Sequence, residues 1–347
     1  MTGRLEHEIK IEKQINNKLI EMPDYISDWY DNLKASGVTI TSCKDYICKI
    51  HKFLQYINEN IKEIEPKDID LQTVQKYFIS TQRKQNKDGE ITYTSDSYRQ
   101  GIWCCLNNFF NYMVITKRMN ENYMNCIAKP KNRDLDRINE KRVLLNKDDF
   151  KRIMQIADEG FEHNSYNSSN ENVAAGYDRQ YTRNKAILLL FLTTGIRKTA
   201  LTEINLEDMN LSKRIITVTD KGNKTHVYNL SPKLVETLKV WTRDREEIRK
   251  NTKTKSHALF LTEKGERLHP NTIVKIVSTY CEKALGYPVS PHKLRAGFCS
   301  VLCAETGDIE FVRRAVGHSN IATTQRYIVT NGDERKKAAS LIDSMME

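Results

Sequence analysis

Between Lys129 and Arg142 the chain carries Lys129, Lys131, Arg133, Arg137, Lys141 and Arg142 with few apolar side chains among them. Such a segment has no face to bury, so it reads as an extended basic linker over 129–142. It divides the sequence into two blocks, each of which must close a core of its own. A length of 347 residues agrees with two domains.

The first block reads as helical. Residues 1–22 are charged and carry Asn16–Asn17, which fits an N-terminal arm, either frayed or a single short helix. From Pro23, Ile26, Trp29, Tyr30 and Leu33 recur at helical spacing until Gly37. Thr41–Ser42 then look like the cap of a helix whose face carries Tyr46, Ile47, Ile50, Phe53, Leu54 and Ile57. Leu71, Val74, Tyr77 and Phe78 mark a third helix. Gln85–Gly89 is polar and predicts a loop. A fourth helix begins near Ser95 or Ser97 and carries Ile102, Leu106, Phe109, Phe110 and Met113. The expectation is an all-helical domain over 23–128 with its aromatics in the core.

In the second block, 143–347, Asn146 can cap a helix through Phe150, Ile153 and Ile156. An Asn/Ser-rich loop over 162–172 precedes the most apolar run of the chain, Ala186–Leu192, a buried central helix that delivers Arg197 at its end. Ile215–Val218 and His226–Tyr228 alternate as strands around Lys221–Gly222–Asn223–Lys224. Ser231–Pro232 and Ser290–Pro291 each place a cap before a proline at the first helical position, and Gly307 ends the second of these helices. The pattern is therefore mainly α with one small antiparallel sheet.

A formal charge of +10 and a pI near 9.0 favour polyanionic partners, DNA or RNA first. No apolar run is long enough for a membrane span, and Met1–Gln14 lacks the apolar stretch of a secretory signal. None of the eight cysteines forms a C-x-x-C pair, so reduced, mostly buried thiols in a cytoplasm are expected.

The chemistry gathers near the C-terminus. His292-Lys293-Leu294-Arg295 places an imidazole and a guanidinium one helical turn apart, a spacing that predicts both on one face and within reach of one phosphate. Val316–Gly317–His318 is followed, nine positions after the histidine, by Tyr327. Upstream stands Arg197 in Thr194–Gly195–Ile196–Arg197. Two guanidiniums can grip both non-bridging oxygens of a phosphodiester, and a phenol can hold the phosphate as an ester. Together these motifs resemble the active site of the tyrosine recombinases, the phage-integrase family.

That resemblance, strong over about 143–330 and weaker over the helical block, implies a two-domain C-shaped clamp on double-stranded DNA. It implies Tyr327 as nucleophile, Arg197 and Arg295 as phosphate binders, and His292 and His318 as hydrogen-bond donors or proton carriers. The family's hairpin lysine, the acid for the leaving 5′ oxygen, is matched best by Lys221 with Lys224 as its rival. No metal or cofactor is implied. The apolar stripe Ala338, Ala339, Leu341, Ile342, Met345 and Met346 implies tail exchange between subunits of a homotetramer on two recombination sites. Where the family has a Glu or Asp one turn after the first arginine, this chain has Ala200, with Glu203 a further turn along. The arm before Pro23 is short for a separate arm-site domain, which leaves a mobile-element integrase, a chromosome-dimer resolvase, a type IB topoisomerase or a non-cleaving regulator to be distinguished. The other histidines (His7, His51, His163, His226, His257 and His269) have no comparable setting in the sequence.

Overall fold

The computed structural model describes residues 3–85, 88–131, 145–160, 171–220 and 224–317. The chain separates into two compact units, Gly3–Arg142 and Val143–Glu347.

The first unit is built on α1 (Gly3–Leu19), α2 (Asp24–Ala35), α3 (Ile40–Ile57), α4 (Leu71–Ser80) and α5 (Asp96–Ile115). Its opening segment is a helix, and Ile11 and Ile15 are buried in the core with Trp29, Phe53, Phe109 and Phe110. The aromatics meet edge to face, Trp29 on Phe109 at 5.3 Å and Phe53 on Phe110 at 6.1 Å. That is the geometry the ring quadrupoles favour in a packed interior. The indole of Trp29 donates to Asn108 Oδ1 at 2.8 Å, so its polar edge is satisfied.

Two local expectations differ from the structure. The cap of α3 is Thr39, whose hydroxyl accepts from the Ser42 amide at 3.4 Å, two residues before the expected Thr41. The unit is also not wholly helical. Arg83–Gln85 (β1) and Ile91–Tyr93 (β2) pair antiparallel around the polar loop, with Arg83 opposite Tyr93. Arg83-Lys84-Gln85 is wholly polar, and Ile91-Thr92-Tyr93 is too short an alternation to stand out as a strand. The start of the linker lies on α5, where Gln100 donates to the Pro130 carbonyl at 2.7 Å; residues 132–144 lie outside the described residues.

The second unit contains α6 (Lys147–Glu159), α7 (Glu171–Thr194), α8 (Lys198–Glu203), a three-stranded antiparallel sheet, α9 (Pro232–Thr252), α10 (Pro270–Leu285), α11 (Pro291–Thr306) and α12 (Ile309–Val316). Every residue from Ala186 to Leu192 is buried, so this stretch of α7 is covered on all sides, as its unbroken apolar run requires. The sheet runs β3 (Met209–Asn210), β4 (Ile215–Asp220), β5 (Lys224–Asn229). The two long strands pair from Ile215–Asn229 to Asp220–Lys224, which leaves 221–223 as the connection.

Buried arginines recur here, with backbone carbonyls among their acceptors. Arg245, 3% exposed, donates to the carbonyls of Ala258 and Ser256, and Arg183 donates to that of Leu261. A guanidinium is weakly hydrated for a cation and can be held in a core if carbonyls receive its N–H groups. The candidate site uses the same device.

Candidate active site

Arg197 is delivered by the way α7 ends. Thr193 and Thr194 turn their hydroxyls back onto the Leu189 and Leu190 carbonyls, at 2.7 and 2.6 Å. Gly195 then takes a left-handed conformation, φ +59°. A side chain there would also place Cβ 2.5 Å from Phe298 Cδ1, so only glycine fits. The chain emerges extended at Arg197, which is half-buried and immediately precedes α8.

Arg295 arrives from α11. Ser290 caps that helix by accepting from the Lys293 amide at 3.3 Å, and Pro291 takes the first turn. His292 is exposed, whereas Arg295 is 3% exposed. The two residues, one helical turn apart, thus differ sharply in exposure. Three residues at 3.6 per turn fall about 60° short of a full rotation. Here that offset is enough to turn one side chain to water and the other to the core.

What receives the arginines is the C-terminal end of α12. The last carbonyls of a helix have no partner within it and carry the negative end of its dipole. Three consecutive ones accept from three different elements. The Ala315 carbonyl lies 3.4 Å from His226 Nε2, that of Val316 accepts from Arg295 at 2.6 Å, and that of Gly317 accepts from Arg197 at 3.1 Å. Arg295 donates through its other terminal nitrogen to the Gly195 carbonyl, tying the end of α7 to the end of α12. Gly317 is left-handed at φ +68°, and a Cβ there would sit 3.0 Å from His226 Nδ1.

Burial draws the Arg295 pKa below its ordinary value, and the charge of Arg197 pulls the same way; the Tyr228 phenol opposes both. Arginine nevertheless stays protonated at any working pH. Two like charges held together and half-withdrawn from water form a site whose electrostatics improve when an anion arrives. Tyr228 itself is buried, with the His226 ring edge-on at 4.4 Å.

The structure thus brings Arg197 and Arg295 together and places His292 at the exposed start of α11. Lys221, His318 and Tyr327 lie outside the described residues; Lys224 begins β5, one residue beyond the 221–223 connection. Ala200 is buried in the core of the unit, and Glu203 is half-buried at the end of α8. Sequence reasoning missed His226, which it grouped with histidines of no special setting. The available signal was the alternation His226-Val227-Tyr228, which puts His226 and Tyr228 on one face of a strand beside the hairpin lysines.

The sequence profile of the Phage integrase family matches residues 144–334, more than half of the chain. The chain belongs to the phage integrase family. It is 28% identical over 270 residues to a tyrosine recombinase XerC from Pseudomonas savastanoi pv. phaseolicola, a match spanning 74% of this chain and 82% of that protein. A XerC from Pseudomonas fluorescens is 37% identical over 145 residues, spanning 42% of this chain and 47% of that one, so about half of that relative's length is matched. Among solved structures, the XerH site-specific recombinase bound to its difH substrate in a pre-cleavage complex superposes with a TM-score of 0.60. That match has 18% identity and covers 91% of this chain and 84% of the other, which shows a shared fold. No helix among the described residues is long and apolar enough to cross a membrane.

Proposed function

We propose that the protein is a site-specific DNA recombinase working through a 3′-phosphotyrosyl intermediate. The observation that carries this reading is the arginine pair fixed on the carbonyls of Val316 and Gly317, the two residues before His318 and eleven and ten positions before Tyr327. Tyr327 Oη attacks the scissile phosphorus, and the bond from phosphorus to the 5′ oxygen breaks. Arg197 and Arg295 stabilise the charge on the non-bridging oxygens, with His292 and His318 as further hydrogen-bond donors. Lys221 gives a proton to the leaving 5′ oxygen. The ester conserves the energy of the phosphodiester, so a 5′ hydroxyl from the partner duplex reverses the step without ATP or a metal ion. Two such exchanges pass through a Holliday junction. The apolar stripe of 338–346 serves tail exchange in a homotetramer on two DNA sites.

The preferred biological role is the integration or excision of a mobile element. The match to XerC along 82% of that protein favours, as a second reading, a chromosome-dimer resolvase of Xer type. DNA fragments flanking the gene test the reaction class. Incubated without metal and run on a denaturing gel, they should give an SDS-stable protein–DNA adduct with the wild type and none with Tyr327→Phe. Sequence-specific binding without an adduct would make the protein a non-cleaving regulator.

A further inference from the structure

We infer that His226 is a positioning residue that couples the hairpin carrying Lys221 to the segment carrying His318 and Tyr327. The inference rests on the recombinase reading and goes beyond it, by assigning to one imidazole the joint between the acid's element and the nucleophile's.

His226 lies in β5, two residues past Lys224 and so one short strand segment from the 221–223 connection. A lysine on a hairpin tip is useful as an acid only if the hairpin is held in register with the phosphate. The β4–β5 ribbon is anchored at its base by the third strand, β3. Along β5, His226 reaches the end of α12. Its Nε2 faces the Ala315 carbonyl at 3.4 Å, and its ring lies against Gly317, where a Cβ would come within 3.0 Å of it. On the other side the edge-on contact with Tyr228 fixes the ring plane. Tyr228 in turn interacts with Arg295.

Moving the hairpin therefore moves the ring, and the ring abuts the residue that directly precedes His318. A rotation at Gly317 would push against the same ring. With this joint intact, β5 and the end of α12 are held as one body. Without it, each still has its own anchors, β3 for one and Arg197 with Arg295 for the other, but the ring no longer ties the two together. A misplacement of about 1 Å in such a site can cost on the order of 10²-fold in rate.

The test uses full-length protein and the duplex on which the wild type forms its adduct, in two versions: normal DNA, and DNA whose leaving 5′ oxygen is replaced by sulfur. Sulfur leaves without a proton, so the second version does not need the acid. His226→Ala should bind the duplex with unchanged Kd and cleave normal DNA on the order of 10²-fold more slowly. On the sulfur substrate the defect should shrink without vanishing, because only the acid's half of the coupling is bypassed. His226→Gln, whose amide can still donate toward Ala315, should recover most of the rate, and it carries the test should the alanine variant fail to fold. Complete rescue by sulfur would confine His226 to the acid, an undiminished defect would confine it to the nucleophile, and wild-type rates would remove it from both; each overturns the coupling. An adduct with Tyr327→Phe in the same series would instead overturn the recombinase reading.

Discussion

Replacing Arg295 by methionine separates a phosphate binder from a structural keystone. The methionine fills a similar volume and removes the donors to the carbonyls of Gly195 and Val316. Leaving a buried acceptor unsatisfied costs about 1–3 kcal/mol each. Against this, the variant no longer buries a cation beside Arg197, whose charge opposes that of Arg295. The net loss is then about 2 kcal/mol, which for a unit of this size lowers the melting transition by roughly 4–8 °C. Arg197→Met removes the 3.1 Å donor to the Gly317 carbonyl from a half-buried rather than a buried side chain, and should cost less. Calorimetry of the full-length protein without DNA, following the transition of the Val143–Glu347 unit, measures both. Melting of Arg295→Met within about 1 °C of the wild type, or a larger loss for Arg197→Met, would refute the reasoning. Arg295 would then serve the phosphate alone and not the frame.

Gly317→Ala forces a side chain into a left-handed residue and against the His226 ring. A cost of about 1–2 kcal/mol from the backbone alone, with loss of cleavage and retention of DNA binding, is expected by calorimetry and adduct assay. Lys221→Ala should slow cleavage of normal DNA and be rescued by the sulfur substrate; an equal defect on both would exclude Lys221 as the acid and turn attention to Lys224. Thiol labelling of the native protein at pH 8, read by mass spectrometry, should modify exposed Cys126 first. Burial raises the pKa of Cys299 to about 11 and that of Cys281 to about 12, so both remain unreactive thiols until the chain unfolds.

The parts legible in the sequence are those decided within one helical turn. Ser95, Asn146, Ser231 and Ser290 each cap the helix that follows them, because an N-cap bond spans only two or three residues. The buried course of Ala186–Leu192 is equally local, since an unbroken apolar run has no face to expose. The inward turn of Arg295 was not legible, because it depends on a carbonyl one hundred positions upstream. The setting of His226 depends likewise on a helix end 89 positions downstream. The motif spacing identified which residues matter; which of them face the phosphate and which hold the frame is settled by packing between distant elements.

The central claim is that Tyr327 holds the DNA. Tryptic digestion of the trapped adduct, followed by mass spectrometry, tests it directly, because cleavage after Arg326 and Arg335 isolates residues 327–335, with one tyrosine among them. Nucleotide mass on that peptide, attached through a 3′ phosphate to Tyr327, is the predicted result. Nucleotide mass on any other peptide, or an adduct that persists in Tyr327→Phe, would contradict the account.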